Sequence, residues 1–212
     1  MAPSVVKSLA LAAIVSSAAL CDSSVDAHQS VILPAPTFTN PDKNVYWNPL
    51  AFLENQGYKT TADFNGYIKS KGYKTLRAFM DDKKAYKVDA AGANFECGYT
   101  NINGKRQPIP AGTIRSTGYT HDGPCEVWLD NTKVMSGTNC NKDFPGKTHS
   151  ISYASCKGSC TLRWYWMGLR FLKNKWSWQV YKECVPIGSG RRLEGEEAEG
   201  DEERHLAISN TT

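Results

Sequence analysis

The sequence predicts a mainly β fold, an antiparallel β-sandwich with a helical and loop insertion after the first strand. Three observations support this prediction. From about residue 108 onwards, short runs of aromatic and β-branched residues are separated by turn residues, which is typical of antiparallel strands. Residues 44–93 instead space their apolar side chains at helical intervals. Six cysteines follow residue 28, and an even number in an exported domain favours three disulfides.

The individual elements follow in chain order. Residues 28–38 alternate partly and contain two prolines, which predicts an edge strand or an extended arm. The insertion is expected to form two short helices. The later strands are predicted at residues 123–129, 133–135, 149–153, 160–172 and 176–185. The fourth of these is bulky on both faces, as expected of a strand that is packed inside a sandwich.

Residues 1–27 have the features of a secretory signal peptide. Lys7 precedes an apolar run over residues 9–20, and Val25-Asp26-Ala27 fits a signal-peptidase site. The alternative is an ordinary apolar N-terminal helix. Cleavage after Ala27 would make His28 the first residue of a secreted, extracellular protein.

Charge divides the remaining chain into two parts. Residues 28–187, the predicted folded domain, contain 21 Lys and Arg against 12 Asp and Glu, a net charge of +9. Residues 188–212 contain 3 against 7, a net charge of −4, and predict an acidic disordered tail. A basic exported domain favours an anionic polysaccharide as partner. We expect no nucleic-acid or membrane partner and a monomeric state. The alternative is that the positive charge serves solubility alone.

The six cysteines beyond the signal allow 15 pairings, and the sequence alone does not choose among them. One pair has a physical argument, because Cys125 and Cys140 flank a predicted hairpin centred on residues 130–132. A zinc site is disfavoured, since the closely spaced pair Cys156 and Cys160 is not matched by a second pair at the spacing of a zinc finger. The cysteines expected in disulfides are Cys97, Cys125, Cys140, Cys156, Cys160 and Cys184.

Two of the four histidines are candidate metal ligands. A histidine at a free N-terminus, His28, offers its α-amine and its imidazole Nδ1 to one metal ion. His121 precedes the turn Asp122-Gly123-Pro124 at the start of a predicted strand, and it is the best third nitrogen donor. Three nitrogen ligands in a tetragonal arrangement suit copper. His149 and His205 match no motif and are not expected to bind metal.

Four elements in this order resemble the lytic polysaccharide monooxygenases. The first is His28 at the signal junction, and the second is the segment 121–129, HDGPCEVWL. The third is Leu162-Arg163-Trp164-Tyr165-Trp166, and the fourth is Gln179-x-Tyr181-x-x-Cys184. The resemblance covers residues 28 to about 185. It is strongest to the oomycete pectin-active branch, auxiliary activity family seventeen.

The resemblance implies an immunoglobulin-like sandwich that holds one copper ion per chain. His28 would bind copper through its amine and ring, His121 through its ring, and Tyr181 would lie axial. Gln179 would lie in the second sphere and orient the oxygen co-substrate. Arg170 stands where many fungal members place a second-sphere histidine, and it would serve as a cationic donor there or have no such role. The implied reaction uses an external reductant with O₂ or H₂O₂ and hydroxylates C1 or C4 of a glycosidic linkage.

The lysine-rich insertion favours a polyanionic substrate, and pectic homogalacturonan is the expected one. Four residues of the insertion are the expected substrate surface: Tyr58, Lys59, Tyr73 and Lys74. Three alternatives stay open, namely a non-catalytic carbohydrate-binding sandwich, a copper-binding protein without a glycan surface, and the same enzyme class acting on cellulose or chitin. A glycosidase is disfavoured, because Asp122 and Glu126 form no clear carboxylate pair.

Overall fold

A computed structural model describes residues 29–189 and shows a disulfide-stapled antiparallel β-sandwich. The predicted signal peptide, His28 and most of the predicted acidic tail, including His205, lie outside the described residues. Among residues 29–189, no helix is long and apolar enough to cross a membrane.

Two sheets make up the sandwich. The smaller sheet has the order β1-β3-β6, with β1 at Val31–Leu33, β3 at Thr113–Ser116 and β6 at Thr148–Ser150. The larger sheet has the order β2-β8-β7-β4-β5. Its strands are β2 (Ala51–Glu54), β4 (Cys125–Leu129), β5 (Thr132–Gly137), β7 (Ser159–Leu172) and β8 (Lys175–Gly188). Neighbouring strands are antiparallel in both sheets.

The long hairpin β7–β8 forms the centre of the larger sheet. Its strands pair continuously from Ser159–Gly188 to Leu172–Lys175. The two turn residues, Lys173 and Asn174, have φ values of 47° and 61°. Positive φ at both turn positions is the conformation that matches the twist of a two-residue hairpin. The prediction of two long strands here is confirmed, although β7 and β8 each begin one residue earlier than expected and β8 ends three residues later.

The larger sheet is covered on both faces, because successive residues of a strand point to opposite sides. On the front face, Trp164, Trp166 and Tyr181 pack against the smaller sheet. On the back face, Trp178 and Val180 pack against the insertion. The molecule therefore has three layers, with β7 and β8 in the middle one.

The insertion supplies the back layer. It contains α1 (Lys43–Tyr46), α2 (Thr61–Ser70) and α3 (Leu76–Met80), and a fourth short helix, α4 (Cys140–Asp143), lies elsewhere, after β5. Helix α2 begins with a capping box between Thr60 and Asp63, and α3 begins with a Thr75 cap. The prediction of helices is confirmed here. The prediction missed β2, which is an edge strand of only four residues.

Three disulfides join six cysteines, as predicted. Cys125–Cys140 is the pair expected from the hairpin, and Cys140 lies at the start of α4, just after β5. The other two disulfides, which the sequence left open, are Cys97–Cys184 and Cys156–Cys160. The first ties the end of the insertion to β8, and the second closes the short loop before β7.

Candidate metal centre

His121 lies in a loop that is fixed to β7. The Leu169 amide donates to the Asp122 carbonyl at 2.7 Å, and the Met167 amide donates to the Pro124 carbonyl at 3.0 Å. At Gly123 the backbone is so close to β7 that a Cβ atom would lie 1.8 Å from the Met167 carbonyl oxygen. Glycine is therefore required at this position, and the loop has little freedom to move His121.

A stack of three rings runs from this loop to β8. The His121 ring lies against the Trp166 ring, with centroids 6.2 Å apart and planes 13° apart. Trp166 in turn stacks on Tyr181, with centroids 4.9 Å apart. Gly168 leaves room for this arrangement, because a Cβ atom there would lie 2.9 Å from the Trp166 ring. The structure thus brings His121 and Tyr181 to the same tryptophan.

Gln179 joins this group from the same face of β8. The Tyr181 hydroxyl donates to Gln179 Oε1 at 3.2 Å, and both side chains are buried. Arg170 lies close enough for its positive charge to lower the pKa of both His121 and Tyr181. For Tyr181 this effect is smaller than that of burial, which raises the pKa of the phenol. Four of the residues singled out in the sequence are therefore neighbours.

The pKa of the His121 imidazole lies below its ordinary value, which favours the neutral form. Burial is the main cause of its lowered pKa, Arg170 adds to it, and Asp122 opposes it. The Nε2 atom is buried and has no hydrogen-bond partner within residues 29–189. A buried polar atom without a partner costs free energy unless something binds it. A neutral imidazole nitrogen is also the form that binds a metal ion.

The beginning of the described chain is tied to the same loop. Gln29 is buried, and its Nε2 donates to the Thr120 hydroxyl at 3.0 Å. Its Oε1 accepts a hydrogen bond from the Thr117 hydroxyl at 2.9 Å. Gln29 directly follows His28 in the sequence, and Thr120 directly precedes His121. One amide side chain thus links the neighbours of the two candidate ligands.

The two described donors, the His121 imidazole and Tyr181, have the chemistry of copper ligands. Among residues 29–189, no group of three or more His, Cys, Asp or Glu could hold a metal ion. The expected ligands need no such group, because they are one described imidazole, a tyrosine and the N-terminal residue beyond the described range. Two buried imidazole nitrogens lack a hydrogen-bond partner in the described part of the chain, those of His121 and His149, and only His121 lies beside Tyr181 and Gln179.

The expected substrate surface needs correction. Tyr58 is only 5% exposed, and its ring packs against Phe64 and Trp178 in the back layer, so it cannot stack on a sugar. Tyr73 also contacts the protein, since its hydroxyl donates to Asp82 at 2.6 Å. Lys59 and Lys74 are exposed. The insertion packs on the back face of the sheet, whereas Tyr181 and Gln179 lie on the front face.

His149 lies on β6, an edge strand of the smaller sheet, as predicted for a strand-edge residue. Its Nε2 is also buried without a hydrogen-bond partner among residues 29–189. Its ring lies between Tyr119 and Phe144, and it has no described contact with His121. Burial lowers its pKa.

Comparison with known proteins does not assign the chain to a family: no family model and no curated protein matches it. The functional argument therefore depends on the residues of the site. Sequence reasoning missed Gln29 and Thr120, which flank the predicted ligands, and it gave Trp166 no role in the site. Their positions in the sequence could have indicated them. Gln29 follows His28, Thr120 precedes His121, and Trp166 stands two residues before Gly168.

Proposed function

We propose that the chain is a secreted, copper-dependent lytic polysaccharide monooxygenase that cleaves an anionic plant cell-wall polysaccharide, with homogalacturonan as the expected substrate. The observation that carries this proposal is the Gln29 link to Thr120. It holds the residue after His28 beside the residue before His121, whose Nε2 lacks a partner. An N-terminal histidine and an internal histidine could thus bind one metal ion.

His28 would hold a copper ion through its amine and ring and His121 through its ring, and Tyr181 would complete the ligand set. Bound copper would supply one-electron redox chemistry with an external reductant and O₂ or H₂O₂. The protein residues would do the rest. Trp166 supports the His121 ring from one side, and the Gly123 contact with β7 keeps the loop in place. Such outer contacts commonly tune a metal site strongly.

Gln179 and Arg170 would act around the metal. The Gln179 carbonyl oxygen accepts from Tyr181, which leaves its amide N–H groups able to donate to an oxygen co-substrate. Arg170 adds positive charge next to His121 and Tyr181, which favours a negatively charged oxygen species or substrate carboxylate nearby. The +9 charge of residues 28–187 supports an anionic polymer as the substrate.

The test is mass spectrometry of soluble products released from homogalacturonan. The mature protein would carry a native His28 terminus, be loaded with copper and receive a reductant, and His121→Ala would serve as the matched control. We expect oxidised oligogalacturonides that disappear in the control, and their fragmentation would identify C1 or C4 as the attacked carbon. Copper-loaded protein that releases no oxidised product from homogalacturonan, cellulose or chitin would contradict the proposal.

A further inference from the structure

The tip of the β7–β8 hairpin exposes an aromatic pair. Phe171 and Trp176 face each other across the two strands, and their ring centroids are 5.0 Å apart. Phe171 is 55% exposed and Trp176 is 38% exposed. Large apolar side chains that stay exposed together on a rigid element often mark a binding surface.

A polar cleft lies beside these rings. Its lining includes both aromatic residues, the amide side chains of Asn55, Gln56 and Asn174, and Lys59. We call this group the hairpin-tip cleft. Amide and ammonium groups beside an aromatic ring offer hydrogen bonds to hydroxyl and carboxylate groups and an apolar face for a sugar ring. A lipid or a purely apolar partner would leave these polar groups without hydrogen bonds.

The cleft is preformed by the packing beneath it. The turn after β2 has positive φ at Asn55 and Gly57, which bends the chain sharply toward the hairpin. The Trp178 indole N–H donates to the Tyr58 carbonyl at 3.0 Å and holds this turn against the sheet. A ligand would therefore meet groups that are already in place, which lowers the entropy cost of binding.

The charge around the cleft is positive. Lys59 and Lys175 line it, and Lys173 lies in the adjacent hairpin turn. Two carboxylates are close to these lysines: Glu54 pairs with Lys175 at 3.0 Å, and Asp63 interacts with the charge of Lys59. Three lysines beside two carboxylates leave a net positive charge around the cleft. Charge complementarity therefore favours an anionic ligand over a neutral one.

We propose that the hairpin-tip cleft is a binding site for a polyanionic glycan chain, separate from the candidate metal centre. The identity of the polymer, homogalacturonan, depends on the proposed function. The aromatic residues would stack on sugar faces, and Lys59 and Lys173 would pair with carboxylates. Trp176 precedes Gln179 by three residues, so strand alternation places the two side chains on opposite faces of the sheet. The cleft therefore lies on the back face, beside the insertion, and the candidate metal centre lies on the front face.

The experiment measures binding without turnover, using the copper-loaded mature protein in the absence of reductant. Affinity electrophoresis would compare polygalacturonate with its fully methyl-esterified form and with a soluble glucan. We expect Trp176→Ala and Phe171→Ala each to weaken polygalacturonate binding about threefold to tenfold. Trp176→Phe should restore most of it, and Lys59→Gln should reduce the salt dependence of binding. Ile109→Ala, an exposed apolar residue elsewhere, is the control.

Unchanged affinity in both alanine variants would overturn this proposal. If the alanine variants lost as much affinity for the esterified polymer or the glucan as for polygalacturonate, the charge would play no role, and the proposal of an anionic ligand would be overturned. Tight binding that depends on Trp176, together with no oxidised product from any polysaccharide, would refute the proposed function and leave the cleft supported. Oxidised products with unaltered binding in the tip variants would refute only the cleft.

Discussion

Lys182 and Glu183 are neighbours in β8, and both are buried, yet they do not pair with each other. Strand alternation places Lys182 on the back face of the sheet and Glu183 on the front face. Each side chain therefore binds a different layer. The two side chains thus distinguish the contacts that hold the insertion to the sheet from the contacts that hold the segment leading to the candidate metal centre.

Lys182 ties the insertion to the sheet. Its Nζ lies 2.7 Å from Asp81 Oδ1, donates to the Met80 carbonyl at 3.0 Å, and sits over the Phe95 ring at 4.4 Å. The Tyr165 hydroxyl also donates to Asp81 at 3.0 Å. Among residues 29–189, none of these contacts involves His121 or its loop, so we expect the network to serve stability.

Glu183 ties the first strand to the sheet. Its Oε2 accepts from the Val31 amide at 2.9 Å, and the Ser30 hydroxyl also donates to the carboxyl. Burial raises the pKa of Glu183 to about 8, although these two hydrogen bonds oppose the shift. Ser30 follows Gln29, which is linked to Thr120. Glu183 therefore supports the segment that leads from His28.

The largest expected effect is on stability, from Lys182→Met. This change keeps the packing of the stem and removes the closer of the two cations beside Asp81, since Arg77 Nε also lies 3.3 Å from its carboxylate. We expect the free energy of unfolding to fall by about 2 kcal/mol, less than for a fully buried pair because Asp81 is 37% exposed. Chemical denaturation measures it, with exposed Lys157→Met as the control. Copper affinity of the folded protein should not change. If copper affinity fell together with stability, the contacts of Lys182 and those of Glu183 would not have separate roles.

The next effect is on copper binding, from Glu183→Ala. The Val31 amide loses its acceptor, and the segment that leads from His28 is less constrained. We expect copper affinity to fall about tenfold, with altered electron paramagnetic resonance parameters of the bound Cu(II). Glu183→Gln keeps an oxygen acceptor for the amide and should restore both. An unaltered Cu(II) spectrum in Glu183→Ala would show that this carboxyl serves the fold alone.

A smaller effect on the same readout is expected from Gln29→Ala. Two hydrogen bonds, to Thr117 and Thr120, are lost, and copper affinity should fall about fivefold if one of them contributes about 1 kcal/mol to the ordered site. Thr117→Ser, which keeps the hydroxyl, is the matched control. Isothermal titration with Cu(II) measures the affinities. Equal affinities for Gln29→Ala and the native protein would exclude the link as a positioning element.

The smallest effect concerns pH. Because the pKa of His149 is lowered in the folded state, the unfolded chain binds its proton more readily. Stability should therefore be lost as pH falls from the ordinary histidine pKa, about 6.5, through the lower folded value. In His149→Phe, which retains a ring between Tyr119 and Phe144, the melting temperature should decline less over this range. An identical decline would assign the pH dependence to other groups.

The long central strands could be predicted because their alternation extends over many residues, while β2 could not, since four residues at a sheet edge carry too little pattern. Cys125 and Cys140 are close in the chain, but Cys97 and Cys184 are 87 residues apart and meet only through the packing of the insertion. Gln179 and Tyr181 share a face by alternation. The contact of Tyr181 with Trp166 depends on the β7–β8 register. The burial of Tyr58 depends on which side of the insertion meets Trp178.

The most direct test of the metal centre is Cu(II) binding by three forms of the mature protein: the native chain that begins at His28, the same chain with one methionine added before His28, and His121→Ala. Titration and electron paramagnetic resonance would be recorded for each. We predict tight binding of one Cu(II) with nitrogen ligands in the native form, and a large loss of affinity in both others. Equal affinity with and without the added methionine would contradict the proposed centre.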